Sequence, residues 1–233
     1  MLKKERITLE TQLRCSLAFT SELEVEVGVG GEAEAGNGTK TAAQVDRPVE
    51  KIAGTATEHQ AATPQEASVQ TGVGFLDHML TLFNFHSGLT FNVEAQGDTY
   101  VDDHHTVEDI GIVLGELLRD LYRSLPSYQR YGSFYLPMDE SLARVVLDLS
   151  GRPHLNFNAD FSKEKVGNFD TELVEEFFNA VAMNSRMTLH IDLLKTGNTH
   201  HEIEAIFKGF ARALRIALEP SEGGVPSSKG LIA

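Results

Sequence analysis

A short pattern written twice constrains this chain more than any other feature. His104-His105-Thr106-Val107-Glu108 and His200-His201-Glu202-Ile203-Glu204 both read His-His-x-x-Glu and stand 96 residues apart. The same offset pairs Ile110 with Ile206, Leu118 with Leu214 and Arg119 with Arg215. A repeat this long implies two similar halves of one chain packed together.

Hydropathy patterning supplies the elements of each half. From Thr11 to Val27 the residues alternate: Leu13, Cys15, Leu17 and Phe19 point one way, then Leu23, Val25 and Val27, with Glu22, Glu24 and Glu26 opposite. That is the period of half-buried antiparallel strands. Gly28 to Gln70 is rich in Gly, Ala, Thr, Glu and Gln and reads as a long loop or disordered insertion, with His59 a solvated bystander. Beyond it come a helix over Leu76–Phe85, a strand over Leu89–Ala95 and a helix over His104–Tyr122 with Asp103 as its N-cap. After a linker at Pro126–Arg130 the pattern predicts strands at Ser133–Leu136, Leu142–Leu149 and His154–Phe161, a helix at Thr171–Met183, a strand at Thr188–Leu194 and a helix at His200–Leu218. The expected class is α+β: two similar α/β halves, each a mostly antiparallel or mixed four-stranded sheet with two helices on one face. The expected boundaries are 1–125 for the first half, with the low-complexity insertion at about 28–70, then 126–220 for the second half and 221–233 for a C-terminal tail.

Charge and cysteine content narrow the functions. With 34 acidic against 20 basic side chains the net charge is −14, which argues against a nucleic-acid backbone or an anionic membrane surface as partner. A single cysteine, Cys15, excludes an intrachain disulfide and a cysteine-based zinc cluster. No apolar run is long enough to span a membrane, and Met1–Glu10 lacks the apolar stretch of a signal peptide. The expected location is the cytoplasm.

The chemistry sits on the repeated helix starts. On a helix, His104 and Glu108 share a face, as do His105 and Glu108, while the adjacent histidines diverge. One helix turn can then address two metal ions with the carboxylate near both. Imidazole nitrogen plus carboxylate oxygen suits manganese, iron or zinc, and the lack of thiolate disfavours a structural zinc site. Gly74-Phe75-Leu76-Asp77-His78-Met79 offers one more ligand, His78. Fourteen positions back from the corresponding strand residues Asn92 and His190 lie His78 and Glu176, so each half is expected to join its His-His-x-x-Glu to one ligand from its own other helix. Asp77 is a second partner for His78 or an N-cap. His86, His154 and His190 are read as structural residues. A basic set stands out in an acidic protein: Arg130 in Arg-Tyr-Gly, Arg152 in Ser-Gly-Arg-Pro, Lys208 four residues after Glu204, and Ser228 and Lys229 in Pro-Ser-Ser-Lys-Gly. Guanidinium forks, ammonium, hydroxyl and glycine-exposed amides are what a phosphate monoester needs.

Gly-x-x-Phe-Leu-Asp-His-Met, Asp-Asp-His-His-Thr-x-Glu-Asp, Arg-Tyr-Gly, Leu-Asp-Leu-Ser-Gly-Arg-Pro, the second His-His-x-x-Glu and Pro-Ser-Ser-Lys-Gly together strongly resemble the imidazoleglycerol-phosphate dehydratase family, from about Arg6 to Ile232 apart from the insertion. The resemblance implies a fold like the second domain of ribosomal protein S5. It implies dehydration of imidazole glycerol phosphate to imidazole acetol phosphate in histidine biosynthesis, with two manganese ions per site. It also implies a homo-oligomer of 24 subunits with sites between chains. Carried over residue by residue, the metal ligands are His78, His104, His105, Glu108, Glu176, His200, His201 and Glu204. Position 176 is often histidine in relatives. Glu10 matches a catalytic glutamate, and Glu108 and Glu204 join it at the reacting centre. Arg130, Arg152, Lys208, Ser228 and Lys229 match the phosphate contacts, with the tail as part of that site. A glutamine common four residues after the Asp-His-Met histidine is Leu82 here.

The proton to be lost sits on a carbon that nothing nearby acidifies, whereas the substrate's imidazole is itself a metal-binding donor. The expected mechanism uses cations to turn that ring into an electron source that expels the neighbouring hydroxyl, with Glu10 as general acid or base. Two rival readings remain at the level of sequence: a dimetal phosphate-ester hydrolase and a non-catalytic metal-binding cage protein.

Overall fold

The computed structural model describes residues 1–20, 67–222, 224 and 226. The first half contributes β1 (Leu2–Ile7), β2 (Thr11–Phe19), β3 (Val69–Gln70), α1 (Gly74–Ser87), β4 (Leu89–Gly97) and α2 (His104–Ser124). The second contributes β5 (Tyr131–Met138), β6 (Ser141–Asp148), β7 (His154–Asn158), a small hairpin of β8 (Lys165–Val166) and β9 (Phe169–Asp170), then α3 (Leu173–Ser185), β10 (Thr188–Lys195) and α4 (Thr199–Leu218). The two four-stranded sheets run β1-β2-β4-β3 and β5-β6-β10-β7. In each, the first three strands pair antiparallel and the last joins in parallel. The duplication read from the helix starts is therefore a duplication of topology.

Alternation decides which face of each sheet is covered. Leu13, Cys15 and Leu17 of β2 and Ala143, Val145 and Leu147 of β6 are buried, while their neighbours face outward. The helices lie between the sheets on these inner faces, and one continuous apolar core joins both halves. Full burial of a Leu, Val or Phe side chain contributes about 1.5–3 kcal/mol relative to exposure, so the shared core holds the halves together.

The helices pair across the halves, α2 with α3 and α1 with α4. Glycine makes the first pairing close. A Cβ on Gly111 would come 2.8 Å from the Phe177 carbonyl oxygen, and one on Gly115 would come 2.7 Å from the Val181 carbonyl oxygen. The corresponding positions of α4 are Phe207 and Ala211, and Phe207 instead stacks against Phe177 at a centroid distance of 5.2 Å.

Several local expectations change. The charged segment Leu2–Ile7 is a strand, because Leu2, Arg6 and their neighbours alternate across an edge position where only one face is half-covered. The insertion expected to run to Gln70 ends earlier: Val69 and Gln70 pair with Val93 and Glu94. The remainder of that expectation, including His59 and the alternation at Leu23–Val27, lies outside the described residues. β7 stops at Asn158, short of the predicted Phe161, and β8–β9 fill a stretch where two-residue strands leave no periodic signal.

Candidate active site

The two helix starts are built alike. Asp102 Oδ1 accepts from the His104 N–H at 2.9 Å, and Asn198 Oδ1 accepts from the His200 N–H at 2.9 Å. Asp102 thus does what was expected of Asp103, whose side chain makes no cap hydrogen bond. In both pairs the imidazoles diverge, with interplanar angles of 88° for His104/His105 and 81° for His200/His201.

One donor group forms across the halves. His78 on α1 meets His200 and Glu204 on α4, with ligand atoms all within 4.8 Å of one another. Glu204 Oε2 stands 3.5 Å from His78 Nε2 and 3.2 Å from His200 Nε2. This corrects the expectation that each half supplies its own extra ligand: α1 packs on α4, so His78 faces the other half's motif. Phe75 lies edge-on to the His200 ring at 5.2 Å and limits its rotation. The α2–α3 packing likewise sets Glu176 on the helix beside that of His104 and Glu108. Among the described residues that trio does not close to within 4.8 Å, and Glu108 is exposed where Glu204 is buried.

The second histidine of each pair turns to a carboxylate. His105 Nδ1 lies 3.1 Å from Asp98 Oδ2 and 3.9 Å from Glu10 Oε2. His201 Nδ1 lies 3.3 Å from Glu140 and 3.8 Å from Asp139, the second such donor group. The hydrogen bond to Asp98 raises the His105 pKa above its ordinary value. The Asn198 backbone N–H, donating to Glu140 at 2.6 Å, holds the Glu140 carboxyl below its usual range. A carboxylate at Nδ1 directs the opposite ring nitrogen outward as the free donor.

Around Glu204, burial opposes ionisation, yet Lys208, His200 and His78 outweigh it and hold the carboxyl below the ordinary carboxylate range. Lys208 Nζ is ion-paired to Glu204 Oε1 and approaches the Met138 sulfur. Lys208 therefore does not stand with the other basic residues. Arg130 and Arg152 meet at Asp148, near the far end of α4, where the Arg130 N–H donates to the Ala217 carbonyl. At 1.5 Å per residue, His200 and Ala217 are about 25 Å apart along that helix. Ser228 and Lys229 lie outside the described residues. Asp77 binds neither ring nor helix start: Thr71 donates to its Oδ1 through both N–H and hydroxyl, at 2.8 and 2.6 Å, tying down the chain entering α1. Leu82 packs half-buried against the core. Of the remaining histidines, His154 and His190 pair at 5.8 Å on the outer face of the second sheet, and burial followed by Lys208 and Arg212 lowers the His86 pKa.

An open groove of about 810 Å³ runs from His78 and His200 past Phe75 to Asp102, Asp103 and Asp170. Asp98, Glu140 and Asp148 escaped the reading of the sequence. For Glu140 a signal existed, because it precedes the second strand of its sheet just as Glu10 precedes β2.

A duplicated α+β fold with paired histidine–carboxylate helix starts is here that of a hydro-lyase. Residues 71–214 match the family model described as imidazoleglycerol-phosphate dehydratase, and the chain belongs to that family. An imidazoleglycerol-phosphate dehydratase of Staphylococcus carnosus is 68% identical over 169 residues, covering 72% of this chain and 88% of the relative. One from Staphylococcus epidermidis is 66% identical over 168 residues, covering 72% and 88%. The crystal structure of imidazoleglycerol-phosphate dehydratase from Staphylococcus aureus superposes with a TM-score of 0.70 at 49% identity, covering 94% of this chain and 98% of that one. The Pyrococcus furiosus enzyme in complex with (S)-C348 gives 0.69 at 32% identity, covering 98% and 99%.

Proposed function

We propose that this chain dehydrates imidazole glycerol phosphate to imidazole acetol phosphate in histidine biosynthesis, as a divalent-metal-dependent cytoplasmic enzyme. The observation that carries the reading is Glu204 Oε2 lying between two imidazole Nε2 atoms contributed by different halves. Three nitrogen and oxygen donors converging without a thiolate fit manganese or a similar ion. His78, His200 and Glu204 would hold one ion, and Glu176, His104 and Glu108 a second, with His105 and His201 presenting Nε2 outward to complete the shells. Two Mn²⁺ per site would act as Lewis acids toward the substrate's imidazole.

The chain's own groups do the rest. Glu10, beside His105 at the exposed turn between β1 and β2, would move a proton to or from the reacting carbons. The overall change removes one C–H proton and one hydroxyl as water, and the resulting enol becomes the ketone. Glu108 and Glu204 would serve as carboxylate donors at the centre, with Glu204 held below the ordinary carboxylate range. Arg130 and Arg152, with Ser228 and Lys229 of the tail, bind the phosphate remote from the chemistry, and Lys208 keeps Glu204 ionised. A three-carbon phosphate ester is far shorter than the separation of these groups along α4. The donor trio of one chain is therefore completed by the basic cluster of a neighbouring copy, which supports a homo-oligomer, with 24 subunits the state proposed.

The test is metal content, solution mass and turnover, with and without chelator. His104→Ala and Glu204→Gln abolish turnover, while Arg130→Ala mainly raises KM. A His104 variant at full rate in metal-free buffer overturns the reading, and release of inorganic phosphate instead of the dehydrated ester identifies a hydrolase.

A further inference from the structure

Arg130 is unusual in three respects at once. It is a non-glycine residue with φ of 73°, it is 9% exposed, and it carries a full positive charge. Left-handed backbone costs an L-residue roughly 1–2 kcal/mol, so the surroundings must impose it. They do so from every side. The Arg130 N–H donates to the Ala217 carbonyl at 2.9 Å, and its own carbonyl accepts from the Leu149 N–H at 3.0 Å. Its guanidinium lies over the Tyr131 ring, 4.8 Å from the centroid, and Nη1 donates to the Pro226 carbonyl at 2.5 Å.

The remaining contact is Asp148, the last residue of β6. Arg130 Nε donates to Asp148 Oδ1 at 2.7 Å and Nη2 to Oδ2 at 3.1 Å, a two-point fork. Asp148 Oδ2 also lies 3.7 Å from Nη2 of Arg152, whose side chain is 63% exposed. Gly151, with φ of 73°, turns the chain so that Arg152 returns toward the same carboxylate four residues earlier. One carboxylate thus serves two guanidiniums. The cluster keeps a net positive charge in a protein of net charge −14.

We propose that Asp148 is a positioning residue for phosphate recognition: it locks Arg130 against the Pro226 carbonyl and orients Arg152 outward as the guanidinium that meets the phosphate. Arg130, besides its phosphate role, then brackets Pro226 beside the start of β5. Arg152 is the exposed member, kept within reach by the shared oxygen. Without the carboxylate, two like charges lie side by side and separate, and the anion finds a less organised site.

This inference rests on the phosphate role given to Arg130 and Arg152 above, and the experiment separates the two. Steady-state kinetics, with inorganic phosphate as competitive inhibitor, are measured for Asp148→Ala, Asp148→Glu and Arg152→Ala, each with its thermal midpoint and solution mass. Asp148→Asn, which keeps the shape and one acceptor oxygen, substitutes if the alanine variant does not fold. Asp148→Ala is expected to raise KM and the phosphate inhibition constant together by tenfold or more, with kcat within about threefold of the parent, and Asp148→Glu to recover part of both. An Asp148→Ala enzyme with parental KM and phosphate inhibition, beside an Arg152→Ala enzyme weakened in both, overturns the positioning role alone. If Arg152→Ala is also unchanged, the cluster does not read phosphate and both proposals fall.

Discussion

The two halves share strand order, helix placement and helix-start chemistry, yet they treat their donors differently. In the second, Glu204 is buried between two imidazoles with Lys208 against its other oxygen. In the first, Glu108 is exposed, and the position matching Lys208 is Ile112. Position 78 is histidine and its counterpart 176 is glutamate. In both halves a carboxylate from the first hairpin turn approaches the second histidine, but Glu140 is hydrogen-bonded to His201 whereas Glu10 stands 3.9 Å from His105, which is hydrogen-bonded to Asp98 instead. The frame is shared, but among the described residues only the second half's motif carboxylate, Glu204, closes with two imidazoles.

That contrast can be broken most decisively at the preorganised trio. His78→Ala or His200→Ala should reduce turnover about a thousandfold or more and remove bound metal measured by elemental analysis. Either variant with full metal content and rate would dissolve the distinction between the halves. Next in size is the close α2–α3 seam. Gly115→Ala, which copies Ala211 of α4, should lower stability by about 1–3 kcal/mol in thermal or denaturant melts, because the Cβ is aimed at backbone. An unchanged midpoint would show that the seam can yield.

In chelated protein, Glu204→Gln leaves Lys208 without its ion partner and should cost about 1–2 kcal/mol, whereas Glu108→Gln should be neutral. The pH dependence sharpens this. Glu204 ionises below its ordinary 4.5, so its contribution is complete above that pH and disappears as pH falls through the depressed native value. Melts of the parent and Glu204→Gln should therefore converge toward acid. The smallest effect belongs to Cys15, which occupies in β2 the place of Val145 in β6. Cys15→Val should shift stability by less than about 1 kcal/mol. The native thiol, pushed up to about 12 by burial, should resist Ellman's reagent at pH 8 until the protein is denatured.

The helices and long strands were legible because their apolar periods are strong. α2 and α4 also announce themselves through the repeat. β1 was not, since Lys3, Lys4, Glu5 and Arg6 leave only an edge strand's half-covered face. β8 and β9 are too short to show a period. The donor residues were legible as types but not as groups: nothing local says that His78 faces Glu204 across the halves, because helix pairing is a property of packing. The same holds for Lys208, which the sequence places beside Glu204 and which geometry turns toward that carboxylate, away from Arg130. Asp148 sat inside a conspicuous motif, but its two arginine partners come from different turns.

Cross-pairing of α1 with α4 has an evolutionary corollary. A free-standing half-length progenitor would have held only fragments of a cation cage, and would have needed a twin docked head-to-tail to finish it. Separately expressed halves of the present polypeptide should accordingly be inert until mixed, and recover together or not at all.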